Sequence, residues 1–416
     1  MDNIQFSLYL DKRRKKKNGT YPLKLQLYIP EPKTQKYYST IFSFTEAEFE
    51  KYYLTTYKRI PREVKDVKVK LNAILLKAKE TAKNIEPFSI DVFEKRLFVN
   101  KGKLTTLKYH YEDVISEYKK QERLNTASNY DLSLKSFQNF VESKGKIIDK
   151  LKFTDITINW LNEYEAFMIE SGKSISTVGI YLRPLRAVFN RAIESKDVKA
   201  ENYPFGKNKY QIPQAKRSKK ALSKQELKIL FDAEPQTPQQ QKAKDFWFFS
   251  FNCNGMNIKD IALLKYKDFD KDKFQFYRAK TKFTSKTQLE KITIYLNQYT
   301  ESIIQKYGNN KAPESYVFDI LKSTDTPQQQ RQKIQAFTRN INQHIKLLAE
   351  NNGITGEIST YWARHSFATH SIRKGASMEF MRESLGHKDM KTTQNYFNGF
   401  DNDTKKEFAQ NIMDFD

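Results

Sequence analysis

Residues 359–397 constrain the fold more than any other stretch, because they contain three short helical patterns separated by strong boundary signals. Serine and threonine hydroxyls cap the amino ends of helices, and glycine adopts the left-handed conformation that ends them. The boundary residues are Ser359 or Thr360 and Gly375 for the first helix, and Ser377 and Gly386 for the second. A third, shorter helix is predicted to carry Tyr396 and its two neighbours.

Side chains suited to phosphate chemistry lie on these elements. Tyr361 and Arg364 are three residues apart and therefore share a face of the first helix, while His387 follows the glycine that ends the second. Guanidinium groups bind phosphate oxygens through planar charged forks, and a tyrosine hydroxyl can form a covalent intermediate. Each residue alone is more often structural, with Tyr396 in a core, His387 as a hydrogen-bonded polar group and Arg364 at the surface. In combination they indicate attack on a phosphodiester.

The charge balance favours a polyanionic partner. The chain has 416 residues with 73 Lys+Arg against 49 Asp+Glu, a formal net charge of +24. A generally basic protein without nucleic acid is the weaker alternative at this excess. The one cysteine, Cys253, excludes an internal disulfide and a cysteine-rich metal site and fits a reducing cytoplasm. A chain of this length is expected to form two or three domains. Because we find neither a signal peptide nor a long apolar run, we expect the protein to be cytoplasmic, and its expected partner makes it nucleoid-associated.

Residues 1–86 predict a small sheet with a basic tip. The alternating runs FSLYL and YPLKLQLYI flank an Asn-Gly pair, which is typical of a β-hairpin, and KYYSTIFSF is predicted as a third strand before an amphipathic helix. The connection carries six adjacent cations, Lys12, Arg13, Arg14, Lys15, Lys16 and Lys17. Such a run can be a solvated turn, but six cations repel one another and a phosphate backbone would relieve that repulsion. DNA contact is therefore predicted here.

Residues 104–195 predict a helical bundle. The expected helices cover 106–121, 126–143, 157–170 and 176–194. In the last helix Ser176 is the predicted cap and Pro184 is predicted to kink or split the helix. Three arginines on its polar face are predicted to remain available for phosphates, namely Arg183, Arg186 and Arg191.

Residues 196–221 are rich in Pro, Gly, Asn and Lys and predict an interdomain linker. Its basic end is predicted to lie along DNA if the flanking domains form a clamp, and consists of Lys216, Arg217, Lys219 and Lys220. Ser223 and Glu226 then form a capping-box signature, and an aromatic, buried helix is expected at 246–252. A β-hairpin is predicted at 277–296, with YRAKT and EKITIYL as its strands.

The carboxyl-terminal motifs A-R-H-S-F-A-T and L-G-H, with a tyrosine nine positions after the histidine, resemble the catalytic half of the tyrosine recombinase (phage integrase) family. The resemblance implies that Tyr396 attacks the scissile phosphate, leaving a 3′-phosphotyrosyl bond and a free 5′-hydroxyl. It implies that Arg364 is the second of two phosphate-binding arginines and that His387 donates a hydrogen bond to the phosphate. Lys280 is the best match for the family's catalytic lysine, a general acid for the departing 5′-oxygen, with Lys282 and Lys286 as alternatives.

Two positions depart from the family's pattern. Asn257 stands in the run Gly255–Asp260 where the first arginine is expected, although Asp260 matches the acidic position that follows. Tyr361 stands where a histidine is usual, and a phenol can still donate a hydrogen bond to phosphate. Either the protein tolerates the missing guanidinium, or another cation takes its place, the candidates being Arg278, Lys282 and Lys286.

The resemblance implies a mainly α protein with small β-sheets, divided into an arm-type DNA-binding domain at 1–86, a helical core-binding domain at 104–195 and a catalytic domain at 219–416. Double-stranded DNA with core and arm sites, a homotetramer on that DNA, and accessory bending or excision factors are the implied partners. No metal or other cofactor is implied. A helix at 403–413 would dock on a neighbouring protomer. The motif variant is most similar to integrases of Bacteroidetes mobile elements.

Two other functions are compatible with parts of the pattern. A DNA-binding architectural protein that has lost catalysis through Asn257 would form no covalent adduct with DNA. A type IB topoisomerase would share the chemistry but act as a monomer on one duplex, and the arm-like first domain argues against it.

Overall fold

A computed structural model of the chain describes residues 4–83, 85–98, 102–214, 221–281, 290–394, 396, 406 and 409–410. The chain divides into two compact units, Met1–Ala215 and Lys216–Asp416. Most of the secondary structure is helical, and the strands form small three-stranded sheets. The predicted mainly α class with small β-sheets is confirmed. In the described parts of the chain we find no helix with the length and apolar character needed to cross a membrane.

The first unit begins with the predicted antiparallel sheet, in the order β1-β2-β3. Its strands are β1 Gln5–Leu10, β2 Tyr21–Ile29 and β3 Thr34–Phe44. Alternate residues such as Leu8, Leu25 and Leu27 turn inward and form a core with the helices that follow. These are α1 Glu46–Phe49, a π-helical turn Glu50–Leu54, α2 Arg62–Lys83 and α3 Ile90–Leu97. The predicted hairpin and amphipathic helix are confirmed.

A second core in this unit is built from the four predicted helices, α4 Leu107–Lys120, α5 Leu124–Ser143, α6 Ile158–Glu170 and α7 Ile175–Glu194. The cap of α7 is Ser174, whose side chain accepts from the Thr177 N–H, so the predicted cap at Ser176 was wrong. Pro184 lies inside one continuous helix, and the predicted split was also wrong. Pro184 is buried in the core, and because it has no N–H one backbone hydrogen bond of α7 is missing there.

The predicted linker is packed over most of its length. Val198, Phe205 and Tyr210 are buried in the helical core, and the Tyr210 hydroxyl donates to Glu165 at 2.5 Å. The polar composition of this stretch concealed these apolar contacts, which attach residues 198–210 to the helical bundle. The basic residues Lys216, Arg217, Lys219 and Lys220 lie outside the described residues.

The second unit surrounds the aromatic helix α9. Its helices are α8 Lys224–Asp232, α9 Pro238–Asn252, α10 Ile258–Leu263, α11 Gln298–Tyr307, α12 Pro327–Asn351, α13 Thr360–Arg373, α14 Met378–Leu385 and α15 Met390–Gln394. The predicted capping box at Ser223 is present, and Phe246, Trp247 and Phe249 are fully buried, as expected for this stretch. The Trp247 indole N–H donates to the Ser359 carbonyl at 3.0 Å, which fixes the start of α13.

The sheet of this unit differs from the predicted hairpin. Its strands are β4 Phe269–Asp270, β5 Lys273–Phe276 and β6 Ile292–Tyr295. EKITIYL contains β6 as predicted, but YRAKT is not a strand, because the Ala279 N–H donates to the Asp260 carboxylate instead of to a neighbouring strand. Residues 277–281 therefore lie outside the sheet and contact α10.

Candidate active site

The carboxyl-terminal stretch contains three short helices as predicted. The middle one begins and ends where expected, but the last one ends earlier than predicted. Ser377 caps α14 by accepting from the Phe380 N–H, and Gly386 ends that helix with φ +59°. The last of the three, α15, ends at Gln394. Tyr396 follows it in a turn, where its N–H donates to the Thr393 carbonyl at 2.9 Å. The prediction that this helix carries Tyr396 was therefore wrong, and the 403–413 segment lies almost wholly outside the described residues.

Arg364 is the centre of the site and is only 3% exposed, which excludes the surface position considered above. Its guanidinium donates to the carbonyl oxygens of Gly255 at 3.0 Å and of Leu385 at 2.5 Å, and to Nε2 of His387 at 3.2 Å. Its Nε–H is buried and has no partner among the described residues. A buried donor without a partner is costly, and a phosphate oxygen that reached it would satisfy it.

Two left-handed glycines allow close packing around the site, one against Arg364 and the other against Ile292. Gly255 has φ +66°, and a Cβ there would lie 2.6 Å from Cα of Arg364. Gly386 has φ +59°, and a Cβ there would lie 2.5 Å from Cδ1 of Ile292. A side chain at position 255 would push the turn before α10 away from Arg364, and one at position 386 would displace Ile292 of β6.

His387 is buried beside this arginine and is held in one tautomer. Because an arginine can only donate, Nε2 accepts from Arg364, so Nδ1 carries the proton and donates to the Thr393 hydroxyl at 3.0 Å. Burial and the nearby charges of Arg364 and Arg278 lower the pKa of His387 to about 3. The imidazole is therefore neutral at pH 7. Its donation to a phosphate stays a prediction, since Nε2 accepts in this arrangement.

His387→Gln is expected to flatten the loss of stability between pH 6.5 and 5. The ordinary pKa of 6.5 falls to about 3 in the folded chain. Below pH 6.5 the unfolded chain therefore binds a proton that the folded chain does not, and the free energy of unfolding falls by at most about 1.4 kcal/mol per pH unit. Urea unfolding of both proteins from pH 8 to 5 measures the difference in slope. Parallel curves below pH 6.5 would contradict the burial of a neutral imidazole, whereas parallel curves above it are expected.

Tyr396 is 7% exposed and lies in an aromatic cluster. Its ring is 4.5 Å from that of His365 and stacks on His387 at 5.6 Å, measured between centroids. Tyr361 is 46% exposed, and its ring lies 4.6 Å from that of His365. Burial and the neighbouring Tyr396 raise the pKa of Tyr361. Sequence reasoning missed His365 and Thr393. The spacing of four residues from Tyr361 would have indicated His365, whereas no local signal indicated Thr393.

Arg278 is a second arginine beside Arg364. Its Nη1 donates to the Leu385 carbonyl at 3.4 Å, the same oxygen that Arg364 contacts, and its buried Nε–H has no partner among the described residues. The buried Asp260 accepts from Ala279 N–H at 2.8 Å and from the amide of Asn257 at 3.5 Å, and so holds the backbone next to Arg278.

Burial and neighbouring charges shift the pKa values of the groups around Arg278. Burial and the charge of Arg364 lower the pKa of Arg278 to about 10, so the Arg278 guanidinium is still charged at pH 7. Burial raises the pKa of Asp260. Lys280 is exposed in the turn after Arg278, and its charge contributes to the low pKa of His387. The alternatives Lys282 and Lys286 lie outside the described residues.

The predicted DNA-contacting arginines of α7 are not equivalent. Arg183 and Arg186 are exposed, but Arg191 donates to the Glu117 carboxylate at 2.5 Å. Arg191 is therefore engaged within the protein, contrary to the expectation that it remains available. The helical period placed it on the polar face, but could not reveal the acidic residue on α4.

Comparison with known proteins places this geometry in a family. Residues 106–212 match the phage integrase SAM-like domain, and residues 193–403 match the phage integrase family. The tyrosine recombinase XerD of Listeria innocua is 26% identical over 283 residues, which cover 65% of this chain and 87% of that protein. The tyrosine recombinase XerA of Thermococcus kodakarensis is 25% identical over 242 residues, 58% of this chain and 77% of that protein.

Solved structures share the fold at low sequence identity. The Tn1549 transposon integrase in complex with a circular intermediate DNA has a TM-score of 0.52 and 16% identity, covering 74% of this chain and 99% of that chain. The same integrase with transposon right end DNA has a TM-score of 0.50 and 17% identity, covering 71% and 98%. Since the family match at 193–403 spans just over half of the 416 residues and contains the site described above, the chain belongs to the phage integrase family of tyrosine recombinases.

Proposed function

We propose that this protein is a site-specific DNA recombinase that cleaves and rejoins DNA through a 3′-phosphotyrosyl intermediate and thereby integrates or excises a mobile element. One observation carries the proposal. Tyr396 stacks on His387, which contacts Arg364, and the guanidiniums of Arg364 and Arg278 meet at the carbonyl of Leu385. A nucleophile beside two charged forks with open N–H groups suits a phosphodiester and its charged transition state.

The proposed chemistry is a transfer of one phosphodiester bond. The Tyr396 oxygen bonds to phosphorus as the bond from phosphorus to the 5′-oxygen breaks, and the tyrosine releases its proton to water, from which Lys280 is later reprotonated. The departing oxygen gains a proton, for which the exposed ammonium of Lys280 is the proposed donor. Arg364 and Arg278 bind the non-bridging oxygens. Because the phosphotyrosyl bond replaces a phosphodiester, attack by a 5′-hydroxyl reverses the step without an added energy source.

Duplex DNA is the proposed partner of both units. The net charge of +24 favours it, and the similar structures are described as integrase complexes with DNA. Strand exchange between two duplexes cleaves four strands, so we propose a homotetramer assembled on DNA, with accessory bending or excision factors. Arm-type binding is assigned to 1–86, core binding to 104–195 and catalysis to 219–416.

The test is covalent capture by the full chain. Nicked suicide duplexes that tile both ends of the encoding element are incubated with the protein, and a denaturing gel detects the protein-DNA adduct. An architectural protein gives no adduct with any duplex, which would overturn the proposal. A topoisomerase gives an adduct but relaxes a supercoiled plasmid without joining two differently labelled duplexes, whereas a recombinase joins them.

Replacing Arg14, Lys15 and Lys17 by glutamine is expected to weaken binding to arm-type DNA. Their side chains are exposed and have no hydrogen-bond or ion-pair partner within the described residues, whereas Lys12 pairs with Glu46 at 2.5 Å. Removing one phosphate-binding cation should flatten the slope of log affinity against log salt by about 0.9. Titration of the full chain with labelled duplex at several salt concentrations measures both effects. Cleavage of an isolated core site serves as the control and should survive, and unchanged arm affinity would identify a solvated turn.

A further inference from the structure

A buried carboxylate lies at the base of the basic turn. The side chain of Asp11 is 1% exposed, directly after β1, and both of its oxygens are occupied. Oδ1 accepts from Nε of Arg13 at 2.9 Å, and Oδ2 accepts from Nζ of Lys24 at 2.7 Å and from Nη2 of Arg13 at 3.4 Å. These hydrogen bonds hold the pKa of Asp11 well below its ordinary value. The carboxylate thus joins the turn to the middle strand of the sheet.

The two cations that Asp11 holds differ in exposure. Lys24 is 18% exposed on β2, opposite Tyr9 of β1, whereas Arg13 is 72% exposed although one edge of its guanidinium is bound. An arginine has five N–H donors in a rigid plane, so the outward edge of Arg13 keeps donors for a second partner. A long cationic side chain in a solvated turn would otherwise sample many rotamers, and ordering it on binding costs free energy.

We propose that Asp11 is a positioning residue for DNA binding, which presents Arg13 to duplex DNA in one fixed orientation. The inference rests on the proposed DNA-binding role of residues 1–86. Simple electrostatics gives the opposite expectation. The Asp11 carboxylate repels the DNA phosphates, so removing its charge should tighten DNA binding. Positioning predicts the reverse, since loss of the carboxylate releases the fork.

The experiment compares Asp11→Asn with Glu46→Gln in the full chain. Both changes remove one negative charge at the hairpin, but Glu46 is 56% exposed and pairs with Lys12, which is 60% exposed. The probe is a DNA duplex selected from a random library. The selected duplex binds the wild-type chain but does not bind the variant in which Arg14, Lys15 and Lys17 are replaced by glutamine. Asp11→Asn is expected to weaken binding about tenfold, equivalent to about 1.4 kcal/mol, whereas Glu46→Gln leaves it unchanged or tighter.

A double-mutant cycle separates positioning from folding. In an Arg13→Ala background Asp11→Asn is expected to cause no further loss, because both changes remove the same oriented fork. Arg13→Lys keeps the charge without the fork and should reproduce the loss, which tests the inference even if Asp11→Asn lowers the melting temperature. Additive losses, or binding by Asp11→Asn as tight as wild type, overturn the role of Asp11. If the selection yields no duplex that depends on the basic turn, the proposed arm binding fails as well.

Discussion

Tyr396→Phe is expected to leave no detectable covalent protein-DNA adduct while binding duplex DNA as the wild-type chain does. Phenylalanine removes the attacking oxygen together with its hydrogen-bonding contact to Tyr361 and keeps the ring. The ring can keep its packing on His365 and His387, at centroid distances of 4.5 and 5.6 Å, so the fold should be retained. A denaturing gel with a nicked suicide duplex measures the adduct, and a mobility shift with the same duplex measures binding.

Tyr361→Phe is the matched control, because Tyr361 is the other phenol beside His365. We expect this variant to cleave more slowly and still to form the adduct, since it loses one hydrogen-bond donor and keeps the nucleophile. The opposite result, an adduct with Tyr396→Phe and none with Tyr361→Phe, would identify Tyr361 as the nucleophile. The assignment based on the spacing from His387 would then be wrong.

Arg278→Ala is expected to slow single-turnover cleavage about 10²- to 10³-fold. Arg278 contacts the same carbonyl oxygen as Arg364 and has a buried Nε–H without a partner among the described residues, so we propose that it supplies the guanidinium that Asn257 cannot. Loss of one preorganised donor to a transition-state oxyanion costs about 2.7–4 kcal/mol, which corresponds to that change in rate. Rapid-quench cleavage of a saturating suicide duplex measures the effect. A rate within about threefold of wild type would place the compensating group elsewhere.

Asn257→Arg distinguishes compensation by Arg278 from tolerance of a missing charge. The Asn257 amide already contacts Asp260, which is also next to the backbone that carries Arg278. In the wild-type background the added guanidinium should therefore crowd an occupied site and give no gain in rate. In the Arg278→Ala background it should recover part of the loss. A faster single variant Asn257→Arg would instead mean that the site lacks an arginine.

Local sequence signals were sufficient for elements whose ends depend on nearby residues. Helix α14 begins at the Ser377 cap and ends at Gly386 as expected, because both are interactions within one or two turns. The amino-terminal sheet followed from alternation and an Asn-Gly turn for the same reason. The motif order likewise sufficed to select Tyr396, Arg364 and His387 as candidates, and these three residues lie together.

Contacts between distant parts of the chain were decided only by the tertiary structure. The carbonyl of Leu385 is 107 residues from Arg278, and no periodicity or cap connects them. The hydrogen bond between Ala279 and Asp260 keeps 277–281 out of the predicted strand, and Arg191 donates to Glu117 on another helix. Both partners are remote in sequence, so no local pattern indicates them. Sequence by itself therefore determined the family, the boundaries of α14 and the candidate nucleophile, since these depend on neighbouring residues. Tertiary structure decided which cations surround the nucleophile, because a side chain's partners depend on where the folded chain brings remote carbonyls and carboxylates.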